Sequence, residues 1–446
     1  MFLPMATSHK PFVAIVGRQN VGKSTLFNRL VGTPAAVVSE IAGTTRDRIA
    51  TETVWADYPF ILVDTGGIDP TSQTEFSDEV TSQVKVAIAE ADVIVMLVDV
   101  TAGVTPDDLD VADILRRGDK PVVLAASKAD NEARETEAPV FYELGLGEPV
   151  PVSAYHNIGV DDLMARVIAH FPSEPVAPET DADLRLAIVG RTNVGKSLLL
   201  NSITGQERAI VSDVPGTTRD AIDTLISTDK GSVLLVDTAG IRRRGKVAPG
   251  IERYSVMRSI RAIDRCDVVL LVMDATELAT SQDAHVASYI VDAAKGIILV
   301  VNKWDLIGDN GLTQDEATAI LKERLKFVSH APVRFVSALT GSGIDKLADV
   351  ARAVFVEWNK GLPRYDLSRT IMNAIAKHPP ATIGRRAVKI YSVAQDRTGP
   401  PSFTFYVNRS SMVHFGYRRY LENTLRNTYG FAGSPLKMRF KGRGEP

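Results

Sequence analysis

The chain has 446 residues, 45% of them hydrophobic and 24% charged, with a formal net charge of −3. That balance fits an ordinary globular protein of roughly three domains and excludes a disordered or fibrous chain. No apolar run approaches the roughly 20 residues of a membrane-spanning helix, residues 1–10 lack the pattern of a signal peptide, and the one cysteine, Cys266, excludes a disulfide framework and a cysteine-based zinc site.

Residues 1–10 read as a short extension, and the first predicted strand follows at residues 12–16. It runs into Gly17-Arg18-Gln19-Asn20-Val21-Gly22-Lys23-Ser24 and then a helix-like stretch opening at Thr25. G-x-x-x-x-G-K-S between a strand and a helix is a phosphate-binding loop, in which backbone N–H groups and the helix N-terminus cradle phosphates. Lys23 is expected to reach the β- and γ-phosphates, and Ser24 to give a hydroxyl to Mg²⁺. Thr45, in Gly43-Thr44-Thr45-Arg46-Asp47, is preferred over Thr44 as a second hydroxyl for the metal. A strand at residues 59–63 ends at Asp64-Thr65-Gly66-Gly67-Ile68, where Asp64 is the expected carboxylate beside Mg²⁺ and Gly67 offers an N–H to the γ-phosphate. These segments are expected to switch with the γ-phosphate. Unbroken apolar runs at residues 93–98 and 122–126 read as central parallel strands. Ser127-Lys128-Ala129-Asp130 and Ser153-Ala154 follow.

Residues 172–183 are rich in proline and acid and read as an extended linker. The pattern then starts again. A strand at residues 184–189 precedes Gly190-Arg191-Thr192-Asn193-Val194-Gly195-Lys196-Ser197 and a helix opening at Leu198. The two lysines, the two Gly-Thr-Thr-Arg-Asp segments and the two aspartates Asp64 and Asp237 all lie 173 residues apart, which marks an internal repeat. Lys196, Ser197, Thr218, Asp237-Thr238-Ala239-Gly240 and Ile241 therefore take the roles given to the first copy. Asn302-Lys303-Trp304-Asp305 decides between bases. An aspartate there accepts from the guanine N1–H and exocyclic amine, a donor pair that adenine lacks. Ser337-Ala338-Leu339 fits a loop that supports the base through a backbone N–H. In the first copy Asp130 keeps the base-reading carboxylate. Ser127 replaces the asparagine, so a purine-edge contact and a brace to the phosphate loop are expected to be lost, with weaker guanine nucleotide binding there.

Strand and helix patterns alternate throughout both copies, which predicts α/β architecture twice over: a mixed, mostly parallel sheet with helices on both faces, at residues 11–171 and 184–360. Residues 361–446 have another grammar. The reading is helix to Lys377, strands at 387–394 and 402–408, a helix at 417–429 and a last strand at 436–440, a small α+β domain. This segment holds 15 Lys and Arg against 4 Asp and Glu, on an otherwise acidic chain, which points to a polyanionic partner. Phe403, Phe405 and Tyr406 are expected to pack its core, and Cys266 to be a packing residue, in keeping with a cytosolic default.

Two tandem G-x-x-x-x-G-K-S loops, each containing Asn-Val-Gly-Lys-Ser and each followed by Gly-Thr-Thr-Arg-Asp, then a basic α+β tail, resemble the Der (EngA) family of bacterial GTPases. The resemblance covers nearly all of residues 11–440, and Ile241-Arg242-Arg243-Arg244-Gly245-Lys246-Val247 is similar to the family's second switch II. It implies two Era-like P-loop G domains, a KH-like C-terminal domain, binding and hydrolysis of GTP with Mg²⁺, and work on ribosomal RNA and precursors of the large ribosomal subunit in the cytoplasm, as a monomer with nucleotide-dependent domain rearrangement. It also implies potassium-assisted hydrolysis in relatives with a P-loop asparagine, which falls on Asn20 and Asn193; the alternative is that these residues only brace the loop. Ile68 and Ile241 stand where Ras-type proteins place a water-orienting glutamine, so slow intrinsic turnover is expected. The tail lacks a clear G-x-x-G loop, which argues against KH-style clamping of a single strand. Arg385, Arg386, Lys389, Arg418, Arg419, Lys437, Arg439, Lys441 and Arg443 are the candidate rRNA contacts. A second reading is an rRNA-binding scaffold in which nucleotide only sets conformation.

Overall fold

A computed structural model describes residues 10–32, 50–64, 88, 90–171, 182–205, 210–215, 222–228, 231–238, 241, 251–308, 311–380, 382–383 and 386–442. Thr45, Thr65, Gly66, Gly67, Ile68, Thr218, Ala239, Gly240, Arg385 and Arg443, most of the 172–183 linker, and both Gly-Thr-Thr-Arg-Asp segments lie outside the described residues. Those that are described fall into two compact units, one carrying the first phosphate loop and the other carrying the second together with the C-terminal domain.

In the first unit six strands form one sheet, β1 (Phe12–Val16), β2 (Ala50–Trp55), β3 (Tyr58–Asp64), β4 (Val93–Asp99), β5 (Val122–Ser127) and β6 (Val150–Pro151), in the order β2-β3-β1-β4-β5-β6. Only the β2–β3 pair is antiparallel. Every residue of β1 and β4 is buried. That is why both read as unbroken apolar runs: each face of the sheet is covered, so alternation is lost. Helix α1 (Lys23–Val31) and α3 (Val160–Ala169) pack on one face, burying Leu26, Leu30, Leu163 and Val167. On the other face, α2 (Pro106–Arg116) buries Val111 and Leu115. Its start is fixed by Thr105, which forms a reciprocal capping box with Asp108. β1 lies between β3 and β4, and the chain leaves it at Gly17. This is the topological switch point where open α/β sheets bind ligands.

The second unit repeats this plan with β7 (Leu184–Val189), β8 (Ile210–Pro215), β9 (Ile222–Thr228), β10 (Gly231–Val236), β11 (Val268–Asp274), β12 (Gly296–Asn302) and β13 (Val333–Phe335), in the order β13-β12-β11-β7-β10-β9-β8. Helices α4 (Lys196–Thr204), α5 (Ile251–Arg265), α6 (Ser281–Asp292), α7 (Gln314–Arg324) and α8 (Leu347–Trp358) accompany the sheet. Cys266 is fully buried and its thiol is pushed up to about 12 by that burial, so it is an inert packing residue.

The C-terminal domain follows the expected order. Helices α9 (Arg364–Lys377) and α10 (Phe415–Tyr429) cover the sheet β16-β17-β18 (Ile390–Arg397, Ser402–Val407, Lys437–Gly442); the hairpin β14 (Thr382–Ile383) and β15 (Arg386–Ala387) was not foreseen. Leu367, Ile371, Phe403, Phe405, Leu421, Leu425 and Phe431 form its core. Tyr406 does not join them. It is 42% exposed, because strand alternation sends Phe403 and Phe405 inward and Tyr406 outward. The domain is hydrogen-bonded to its neighbour: Ile297 N–H donates to Gly433 O and Gly433 N–H to His330 O, both at 2.8 Å, and Phe431 N–H donates to Glu357 Oε2 at 2.6 Å.

Candidate nucleotide sites

Each phosphate loop is set by backbone geometry that side chains would obstruct. Gly17 and Gly190 have φ of +147° and +146°, and a Cβ on either would lie 2.3 Å from a backbone carbonyl oxygen of the neighbouring strand, Leu97 O or Val272 O. Asn20 and Asn193 both sit at φ 62°, the left-handed region that asparagine tolerates. Lys23 and Lys196, at the first turn of α1 and α4, are buried. Lys23 Nζ donates to Gly17 O at 2.7 Å and Arg18 O at 2.8 Å. Lys196 Nζ donates to Gly190 O at 2.6 Å and also to Arg191 O. Both ammonium groups are therefore folded back onto the carbonyls of their own loop.

The residues expected at the metal are placed differently in the two copies. Ser24 Oγ donates to Asp64 Oδ2 at 2.8 Å, which places a hydroxyl and a carboxylate together at the end of β3. Ser197 Oγ instead donates to the backbone oxygen of Ile241 at 2.8 Å. Asp237 leaves its strand with φ 56°, and its N–H donates to Asp223 Oδ1 at 2.9 Å, while Arg265 Nη2 lies 2.5 Å from Asp223 Oδ2. Among the described residues no group of three His, Cys, Asp or Glu is placed to hold a metal by itself. One hydroxyl and one carboxylate suit a hard cation that keeps waters and phosphate oxygens, which is how Mg²⁺ binds.

The base side shows a correction. Asn302 Nδ2 donates to Val194 O at 2.8 Å, and Asn302 Oδ1 accepts from Ala338 N–H at 2.9 Å, so one amide ties the phosphate loop to the base-supporting loop. The Ala338 N–H thereby serves the asparagine. Ser127 was expected to lose the brace to the phosphate loop, yet its Oγ donates to Val21 O at 2.6 Å. A hydroxyl has one proton to give, and here it makes the loop half of what Asn302 does. Asn302→Ser is therefore expected to keep the brace, lose the Ala338 link and weaken GDP binding at the second site about tenfold, the worth of one such bond; calorimetric titration checks this, and an unchanged affinity would show that the link is dispensable.

Asp130 accepts from Ser153 Oγ at 2.7 Å on Oδ1 and from Arg134 Nη1 at 2.7 Å on Oδ2. Asp305 is exposed, in the short turn Trp304–Leu306, next to Trp304, whose ring packs 4.5 Å from that of Phe335. Exposed Leu339 lies just beyond Ser337 and Ala338, both buried.

Sequence reasoning missed a second layer. Lys128 and Lys303, both left-handed at φ 60° and 62°, donate to Asp99 Oδ2 and Asp274 Oδ2, each at 2.6 Å. Burial pulls the Asp99 and Asp274 carboxyls up, but bonds from these lysines and from Thr101 and Thr276 outweigh it and hold both below the usual carboxylate range. Arg18 and Arg191 reach the capping carboxylates Asp108 and Asp283 at 3.9 and 4.0 Å. Burial raises both of those carboxyls against the bonds that their threonines supply. The signal was available: Asp99 and Asp274 are 175 residues apart, the same interval as Asp130 and Asp305.

The family described as 50S ribosome-binding GTPase matches residues 12–128 and again 185–303, and the KH-domain-like family of EngA bacterial GTPase enzymes, C-terminal, matches residues 362–441. The chain is 47% identical to GTPase Der of Chloroflexus aggregans, over 97% of this chain and 98% of that one. It is 48% identical to GTPase Der of Thermomicrobium roseum, over 97% and 96%. The chain belongs to the Der family of GTPases. Among solved structures it is similar, at 21% identity, to Era in complex with MgGDPNP and a segment of 16S ribosomal RNA, over 58% of this chain and 91% of that one, with a TM-score of 0.30. Der membership makes the chain a tandem GTPase that binds and hydrolyses GTP, and among the described residues no helix is long and apolar enough to cross a membrane.

Proposed function

We propose that this GTPase assists assembly of the large ribosomal subunit in the cytoplasm, as a monomer, with its two nucleotide sites controlling how the C-terminal domain engages ribosomal RNA. The observation that carries the reading is a charged, outward-facing sheet surface in a chain with two nucleotide loops. Lys437, Arg439 and Lys441 are exposed at alternate positions of β18, directly opposite Ser402, Thr404 and Tyr406 of β17. Alternate cations beside an exposed aromatic ring suit a phosphate backbone with unstacked bases. The description of the matched G-domain family as ribosome-binding points the same way.

Hydrolysis is water attack on the γ-phosphate, aided by positioning and electrostatics. The loop N–H groups from Gly17 to Ser24 and from Gly190 to Ser197 hold the phosphates; Lys23 and Lys196 bring positive charge to the transferred group; Thr45, Thr218, Gly67 and Gly240 respond to the γ-phosphate. Ser24 with Asp64, and Ser197 with Asp237, would hold Mg²⁺, which neutralises charge on the phosphate oxygens. Asp130 and Asp305 read guanine. Asn20 and Asn193 would face K⁺ if potassium assists; their left-handed backbone equally suits a bracing role.

Nucleotide-dependent co-sedimentation with large ribosomal subunits tests the function, with Lys23→Ala and Lys196→Ala compared separately. Binding that ignores nucleotide and both variants would refute it. Replacing Lys437, Arg439 and Lys441 together by glutamine is expected to reduce the salt slope of rRNA binding by about 2, since each single-strand phosphate contact contributes about 0.7. Filter binding between low and moderate salt checks this, and an unchanged slope would move the contact elsewhere.

A further inference from the structure

We propose that Arg134 is a specificity-determining residue of the first nucleotide site, lowering its affinity for guanine relative to the second. The inference rests on the reading of Asp130 as the base-recognising carboxylate. Arg134 Nη1 donates to Asp130 Oδ2 at 2.7 Å and to Lys128 O at 3.3 Å, while Ser153 Oγ holds Asp130 Oδ1 at 2.7 Å. Both oxygens meant for the base therefore already carry a protein donor. The arginine is placed there by local structure: Asn131 caps the short helix Glu132–Glu135, and its Oδ1 accepts from Arg134 N–H at 3.0 Å.

The second site is built otherwise. Asp305 is exposed, and among the described residues no donor is placed on its carboxylate. Four positions on, where the first copy has Arg134, the sequence has Asp309, an acid. The two sites thus differ by a cation at the atom that discriminates bases.

Guanine presents two N–H donors to the aspartate. Arg134 takes lone-pair capacity on Oδ2 and sets a positive charge against that donor edge, so guanine must share the carboxylate or displace the arginine. The Arg134 and Asp130 side chains are 39% and 32% exposed, and an ion pair that open to water is worth little. The pair therefore yields to the base and tunes affinity without blocking the site.

The test uses the full chain carrying Asp305→Asn, which turns an amide N–H toward guanine's own donors at the second site, so that GDP binding reports on the first. In that background Arg134→Ala is expected to tighten GDP binding about threefold. It should also change the ratio of GDP to inosine diphosphate affinity, because inosine lacks the exocyclic amine; a merely structural role would move both nucleotides equally. Arg134→Gln should act in the same direction, which guards against a folding artefact of the alanine. Asp130→Asn must abolish the remaining GDP binding. If it does not, the assignment of Asp130 is wrong and the inference falls with it. If it does, and neither Arg134 variant changes the affinity or the ratio, the inference alone is overturned.

Discussion

Alanine at Lys196 is expected to lower GTP turnover at the second site by about 10²- to 10³-fold, the range seen when one preorganised charge or donor at a developing anion is removed. Lys196 is only 7% exposed, and its Nζ bonds to Gly190 O and Arg191 O hold the ammonium on the loop carbonyls rather than in solvent. In that low-dielectric position it is worth far more to a charged transition state than a surface lysine. The same change removes a brace of the loop, so nucleotide affinity falls as well. Single-turnover hydrolysis at saturating GTP separates the two effects. Lys23→Ala in parallel apportions turnover between the copies. If neither variant, nor the double variant, slows hydrolysis beyond twofold, these loops are not where the chemistry occurs.

The second large effect concerns backbone rather than charge. Gly190→Ala puts a methyl group 2.3 Å from Val272 O, at a φ of +146° that side chains rarely adopt. Neither atom is the end of a flexible side chain, so the loop or β11 must move. We expect a loss of about 3 kcal/mol or more in stability of that domain, from strain and steric conflict together, and loss of nucleotide binding at that site. Gly17→Ala should do the same in the first unit through Leu97 O. Denaturant melts followed by GDP titration check both. A variant that melts normally and still binds GDP would mean that the loop tolerates another path.

Much of this was legible in the sequence, for identifiable reasons. The strands Val93–Asp99 and Val268–Asp274 are apolar up to their closing aspartates because both faces of each sheet are covered. The loops announced themselves because phosphate binding needs glycine, lysine and a hydroxyl at fixed spacing. Other features depended on distances across the fold. The Lys128–Asp99 and Lys303–Asp274 pairs join residues 29 apart, each aspartate ending one strand and each lysine following the end of its neighbour, and the parallel register brings them together. Ser127 departs from expectation because the carbonyl of Val21 lies within reach of a hydroxyl, so the brace survives the loss of the amide. Tyr406 departs from the expected core because alternation along Ser402–Val407 points it away from Phe405. Arg134 gave no signal, since a surface arginine four residues after an aspartate is ordinary until the structure puts the two in contact.

The most direct test of the account is an equilibrium titration of the purified full-length chain with a fluorescent GDP, repeated with Asp130→Asn and Asp305→Asn and competed with ADP. The account predicts two guanine-selective sites per chain, one lost with each aspartate, and no effective competition by ADP. A single site, or equal competition by the two diphosphates, would contradict it.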